Sequence, residues 1–185
     1  GLKYAHYLNQ ASDGFFRVLL GRRFADITAT AFAEPNHDYS YQNVTFAVRD
    51  EVVVGMAAAF TGEQRRLFSK QPLARSAGKV ALRMKAIKFV LAPMWRILES
   101  IDDDDFYLVA IAVDKELRGA GVGSILIDAL EDQARAIGAT RLSLDVSATN
   151  KGARRLYARR GMTIESEWPK LLLVPRLFIR LTKFL

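Results

Sequence analysis

Residues 118 to 124 read Arg118-Gly119-Ala120-Gly121-Val122-Gly123-Ser124, and they hold the densest chemistry in the chain. Glycine lacks a Cβ, so a ligand can approach its backbone closely. A helix begins within the glycines: Val122, Ile125, Leu126, Ala129, Leu130 and Ile137 recur at helical spacing as far as Gly138. The first amides of a helix have no partner inside it, and the helix dipole makes that end positive. A phosphate or pyrophosphate suits such a place. Arg118 adds a fixed charge at its mouth. Ahead of the loop, Phe106 to Val113 is a short apolar run of strand formers, which predicts a buried strand. The unit is strand, glycine loop, helix N-terminus.

Three nucleotide-binding patterns compete for these glycines. A Walker A loop needs Lys-Ser/Thr after its last glycine, and Gly123-Ser124-Ile125 does not supply it. A dinucleotide fingerprint finds Gly119 and Gly121 but meets Ser124 in third place, although Asp145 imitates the ribose acid. That fingerprint also follows its strand directly and leads several βα units, whereas here the segment Asp114 to Arg118 intervenes and 40 residues follow Asp145. The third pattern, [Gln/Arg]-x-x-Gly-x-[Gly/Ala], is matched by Arg118 to Gly123. It resembles the acyl-CoA pyrophosphate loop of the GCN5-related N-acetyltransferase (GNAT) superfamily. After the helix, Arg141 to Ser147 reads as a strand. Asn150, Ala153, Leu156, Tyr157, Gly161 and Met162 then match that family's Asn-x-x-Ala-x-x-Leu-Tyr-x-x-x-Gly-Phe pattern, with Met for Phe. The resemblance is specific over about residues 106–165, vague over 25–60 and absent over 62–100.

The resemblance implies one α/β (α+β) domain over residues 1–185, with a central mixed, mostly antiparallel sheet flanked by helices. It implies transfer of an acyl group, acetyl foremost, from acetyl-CoA to an amine by direct attack. The backbone of Ile111 and Val113 would hold the pantetheine arm. Arg118, Gly119, Ala120, Gly121, Val122, Gly123 and Ser124 would hold the pyrophosphate of coenzyme A. Asn150 would sit by the pantetheine and Tyr157 by the sulfur, where its hydroxyl would protonate the leaving thiolate. The reading of Tyr157 from its residue type alone is a ring packed on the sheet. No metal is expected. The acceptor is expected to be a small-molecule or peptide amine. The family's usual glutamate base, counted back from Arg118, falls on Tyr107, so Asp105 is the substitute that remains. Against this enzyme stands a second class: a CoA-binding or anion-sensing module that has lost catalysis, whose basic helix serves a partner.

The rest of the chain frames this unit. The 185 residues, half of them apolar, suit one globular domain. Cysteine is absent, which excludes disulfides, thiolate metal sites and a cysteine nucleophile and fits a cytoplasmic location. No run reaches the length of a membrane span, and the start lacks a signal-peptide pattern. Gly1 in place of Met points to a processed, tagged or trimmed start. His6 and His37 have no partner at metal-ligand spacing. Helices are predicted over 3–20, bent at Asp13-Gly14, and over 23–33. A hairpin is predicted from Asn43–Arg49 and Val52–Phe60, with Gly55 marking a bulge or a close contact. Met162–Trp168 and Val174–Lys183 are predicted as the last strands. The family's N-terminal strand has no counterpart.

Residues 62–100 form a helical insertion with nine basic and two acidic residues. Its net charge equals the +7 of the whole chain, so the remainder is neutral. Leu73, Ala77, Val80, Met84, Ile87, Leu91, Met94 and Leu98 step by three and four, which predicts an amphipathic helix ended or kinked at Pro93. A packed lid with a solvated basic face, a homodimer contact and an anionic-acceptor site all fit. Nucleic acid and membrane surfaces are not favoured, because nothing else in the chain supports them. Asp102 to Asp105 reads as a solvated turn that can pair with the basic helix.

Overall fold

Helix breaks fall where the backbone turns left-handed. The computed structural model describes residues 1–92, 100–169 and 175–185. α1 (Leu2–Ala11) and α2 (Phe15–Leu20) part at Asp13 and Gly14, with φ of 50° and 84°. A single 3-10 turn leads into α3 (Phe24–Phe32). The hairpin of β1 (Val44–Arg49) and β2 (Val52–Thr61) reverses at Asp50 and Glu51, both at positive φ, the geometry that matches strand twist in a two-residue turn.

The insertion is not one helix. α4 (Gly62–Leu67), α5 (Gln71–Ala77) and α6 (Val80–Val90) follow one another, with a break at Gly78, φ 54°. A reciprocal cap starts α4: the Gln64 amide donates to Thr61 Oγ1 at 3.0 Å and the Thr61 amide to Gln64 Oε1 at 2.9 Å. At Gly62 a Cβ would stand 2.2 Å from the Asp102 carbonyl oxygen, so only glycine fits. The predicted apolar stripe still holds across the breaks. Leu73, Ala77 and Met84 are buried with Tyr4, Tyr7, Leu19 and Ile27 in one core, and Val80 and Ile87 pack against it. The segment is therefore a helical layer seated on α2, α3 and the sheet. Pro93, Met94 and Leu98 lie outside the described residues.

β3 (Asp105–Val113), α7 (Val122–Ala136), β4 (Arg141–Ser147), α8 (Lys151–Arg159), β5 (Thr163–Trp168) and β6 (Phe178–Phe184) complete the chain. β6 starts at Phe178 rather than Val174; residues 175–177 are not strand, and 170–174 lie outside the described residues. The sheet order is β1-β2-β3-β4-β6-β5, with β3 and β4 parallel and every other neighbouring pair antiparallel. Among the described residues, β1 forms the sheet's first edge. β2 lies inside the sheet, as its two apolar faces require. At Gly55 a Cβ would come within 3.1 Å of the Ala112 carbonyl oxygen and 3.3 Å of Leu126, so this glycine marks a close contact.

The two faces carry separate cores. α1 to α6 cover one, with Met56, Ala58, Ala110 and Ala112 beneath them. α7 and α8 cover the other, over Ala57, Phe106, Leu108, Leu142, Leu144 and Ile179. His37 belongs to the structure of the first face: its Nε2 lies 2.8 Å from the Ala31 carbonyl and its Nδ1 3.3 Å from the Tyr39 amide. Among the described residues, no helix is long and apolar enough to cross a membrane.

Candidate active site

The parallel pair at the centre of the sheet comes apart. β3 and β4 pair from Asp105↔Arg141 to Leu108↔Leu144 and no further. Beyond that point β3 stays with β2 while β4 stays with β6 as far as Ser147. Val109 is an extra residue in β3, since Ala59 pairs with Leu108 and Ala58 with Ala110, and such a bulge bends its strand. A wedge thus opens between Val109–Val113 and Asp145–Ser147. The Asp114 amide donates to Val54 O at 2.9 Å. Antiparallel alternation then turns the backbone groups of Ile111 and Val113 away from β2, towards the wedge. The Val113 carbonyl already accepts from Gln10 Nε2 at 2.9 Å. Its amide, and both polar groups of Ile111, have no ladder partner.

The glycine loop follows directly. A 3-10 turn at Lys115–Leu117 leads to Arg118. Gly119 and Gly121 stand at φ of 86° and 90°, and nothing lies within 4 Å of where a Cβ would be. Gly121 is the residue before α7, and its carbonyl accepts from the amides of Ser124 and Ile125. The amides of Gly119, Gly121, Val122 and Gly123 have no acceptor among the described residues. Arg118 is exposed and makes no ion pair among them. Ala120 is exposed beside it, and its amide bonds to the Leu117 carbonyl. Gly123 serves packing: a Cβ there would come 3.3 Å from Leu156 of α8 and 4.0 Å from Val113. Loop, strand end and α8 therefore meet.

Asn150 caps α8, its Oδ1 accepting from the Ala153 amide at 3.0 Å. The Asn150 amide nitrogen remains a free donor among the described residues. Tyr157, two turns on, buries its ring in the second core. Its hydroxyl has no hydrogen-bond partner among the described residues, and burial pushes its pKa well above the usual value near 10. It is not sealed in: Arg160 Nε is the buried side-chain nitrogen or oxygen without a partner among the described residues. Arg154 bonds the Ala148 carbonyl at 3.1 Å and, with Lys151 and Arg155, lines a groove towards Met162, Ile164 and Leu181.

The other face of the wedge is ionic, and sequence alone did not reveal it. The Tyr107 hydroxyl donates to Asp145 Oδ2 at 2.8 Å. Arg180 grips the same carboxylate twice, Nε to Oδ1 at 3.0 Å and Nη2 to Oδ2 at 2.6 Å. Burial first, and then the Asp145 charge, raise the Tyr107 pKa far above its usual range. Asp105 is buried and ion-paired with Arg141, which also holds Asp102 at 2.5 Å and Glu165 at 2.8 Å. It sits at the paired end of β3, away from the wedge, so it is a poor substitute base. Asp103 pairs with Arg66 of α4, as expected for the acidic turn and the basic segment. Among the described residues, no cluster of three or more His, Cys, Asp or Glu could hold a metal.

Similar proteins share this architecture. A crystal structure of an acetyltransferase superposes with a TM-score of 0.66 at 23% identity, covering 100% of this chain and 96% of that one. An N-acetyltransferase from Staphylococcus aureus Mu50 gives 0.66 at 16% identity, with 98% and 94% covered. Ard1 from Thermoplasma volcanium gives 0.50 at 16% identity, with 78% and 72% covered. No curated protein sequence matches the chain. The sequence profile of the acetyltransferase (GNAT) family matches residues 8–162. With that profile spanning most of its length over a six-stranded sheet split between β3 and β4, the chain belongs to the acetyltransferase (GNAT) family as an acyl-CoA-dependent acyltransferase.

Proposed function

We propose that the protein is an N-acetyltransferase that moves the acetyl group of acetyl-CoA to an amine by direct attack. The observation that carries the reading is the meeting of the wedge with the glycine loop. Amides of Gly119, Gly121, Val122 and Gly123 that have no partner among the described residues, open space before two left-handed glycines and the exposed cation Arg118 suit a pyrophosphate. Ile111 offers both backbone groups, and Val113 its amide, to an amide-bearing arm in the wedge. Bound there, acetyl-CoA supplies a thioester that an amine can attack. Holding two reactants in line is worth several kcal/mol of barrier by itself. Tyr157 acts as proton donor to the leaving sulfur, because its hydroxyl stays protonated through neutral pH and has no other partner among the described residues.

An amine panel covering polyamines, amino acids, aminoglycosides and peptide N-termini, read by thiol release, tests the reading. Transfer to at least one class is expected. Tyr157→Phe keeps the ring and should leave acetyl-CoA affinity within a few-fold. Single-turnover transfer should fall roughly 10- to 1000-fold, the range around general-acid contributions. Full single-turnover activity in Tyr157→Phe would reduce Tyr157 to packing. Acetyl-CoA binding with no transfer to any amine would favour the inactive CoA-binding module.

A further inference from the structure

We propose that the acceptor is an amine already partly neutral near pH 7, the α-amino group of a peptide N-terminus, and that the Tyr107 hydroxyl oxygen receives it with Asp145 as a positioning residue. The inference rests on the acyl-transfer reading above.

Location comes first. Phe106, Leu108, Leu144, Val146, Ile179 and Leu181 all face the α7–α8 core. Strand alternation puts Tyr107, Asp145 and Arg180 on the opposite face, and their mutual bonds agree. Leu108↔Leu144 is the last pair before β3 and β4 part, so this trio stands at the closed end of the wedge. Tyr157 is buried in the α7–α8 core, on the other side of the sheet. One face can then receive the nucleophile while the other serves the leaving group.

The proton supply selects the acceptor. Among the described residues the carboxylates nearest Tyr107 are committed, and Asp104 and Glu63 of the same end are exposed to solvent. Asp145 is held by Arg180, Asp105 and Asp102 by Arg141, and Asp103 by Arg66. A carboxylate held by a guanidinium has its oxygens occupied by those hydrogen bonds and is not placed to meet an incoming amine. The charged groups facing Tyr107 are Asp145 of β4, Arg180 of β6 and Arg65 of α4. None of them is a free base. An α-amine, with a pKa near 7.7–8.0, is about 10–20% neutral at pH 7, whereas a lysine amine near 10.4 is neutral a few hundred-fold less often.

Tyr107 can orient such an amine without deprotonating it. Its single hydrogen is given to Asp145, so its oxygen presents lone pairs, and polarisation along the bond strengthens it as an acceptor. Arg180, 5.9 Å over the ring, fixes the trio. In the step itself the amine nitrogen forms a bond to the thioester carbon as the carbon–sulfur bond breaks. Sulfur takes the proton of Tyr157, the surplus nitrogen proton leaves to water, and water returns a proton to Tyr157. Amine plus thioester become amide plus thiol.

Two sets of short peptides test this with the full chain: lysine-free peptides with free N-termini and varied first residues, and N-terminally blocked peptides carrying one lysine. At pH 7, kcat/KM should favour the best free N-terminus by roughly 100-fold or more. Its pH profile should follow the peptide's own amine. Tyr107→Phe should lower acceptor kcat/KM by roughly 10-fold or more while the acetyl-CoA Kd stays within two- to three-fold. Asp145→Asn should likewise lower acceptor kcat/KM, through a raised acceptor KM. Equal use of the lysine peptides, or unchanged acceptor kinetics in Tyr107→Phe, overturns the proposal while acyl transfer stands. Acetyl-CoA binding with turnover on other amines but on no free peptide N-terminus overturns it too. Absence of any acetyl-CoA binding would instead sink the acyl-transfer reading.

Discussion

The α7–α8 face of the sheet presents backbone to the wedge: four bare amides, two left-handed glycines and the edges of a split strand pair. The α1–α6 face presents side chains: an arginine-bound aspartate, a tyrosine tied to it, and a helical layer bearing most of the excess charge. A backbone site depends on φ, ψ and the absence of Cβ atoms, and any sequence that keeps the glycines can keep it. A side-chain site depends on residue identity at positions far apart in the chain. The first suits a donor that stays the same from one enzyme to another, and the second suits an acceptor that changes.

The largest effect expected bears on whether the α1–α6 layer is scaffold or surface. Met84 is buried in the first core, so Met84→Asp places an unpaired carboxylate there. A loss of about 3 kcal/mol or more is expected in urea denaturation. Arg83, on the solvent side, gives one hydrogen bond to the Val18 carbonyl, and Arg83→Glu should cost less than about 1 kcal/mol. Equal losses in the two variants would erase the division between buried stripe and solvated basic face.

Next in size is the backbone site. Gly121 has φ 90°, which an aspartate adopts poorly, and Gly121→Asp adds a negative charge where phosphate is expected. Acetyl-CoA at about 100 times its Kd should stabilise the wild type by roughly 2.7 kcal/mol, and the variant should show no such gain in a thermal shift. A shift of the wild-type size in Gly121→Asp would place the donor elsewhere on the molecule.

The same division decides what could be read in advance. β3, the loop, α7 and β4 match their predicted bounds closely, because each is marked locally: an apolar run, glycines, a helical stripe. The insertion was mistaken for a continuous helix. Leu73, Ala77, Val80, Met84 and Ile87 keep one spacing across Gly78, and a stripe reports which face is buried, not whether the axis is unbroken. The Tyr107–Asp145–Arg180 trio was invisible for a different reason. It forms only when β3, β4 and β6 take their register, and β6 belongs to the least marked part of the chain. Asp105 looked like a base because its strand face was legible while its partner, Arg141, was not.

The smallest effect sharpens the account of Tyr157. Its ring is buried and its hydroxyl pKa is raised by that burial. Below pH 10 the tyrosine is neutral in both folded and unfolded chains, so it contributes no pH dependence. Above pH 10 the unfolded chain releases the proton first, the folded chain holds more protons, and stability falls as pH rises towards the folded pKa. One tyrosine should account for roughly 1 kcal/mol of loss between pH 9 and 11. Tyr107 and Tyr4 have raised values as well, so the wild type should lose more than this single share. Tyr157→Phe removes one share, and its stability should fall less steeply over that range by the same amount. Parallel pH–stability curves for the two proteins would mean that the Tyr157 hydroxyl ionises as freely in the fold as in water. It would still be protonated at neutral pH, as any tyrosine near its usual pKa is, so burial would drop out of the account of the donor while the hydroxyl itself remained available.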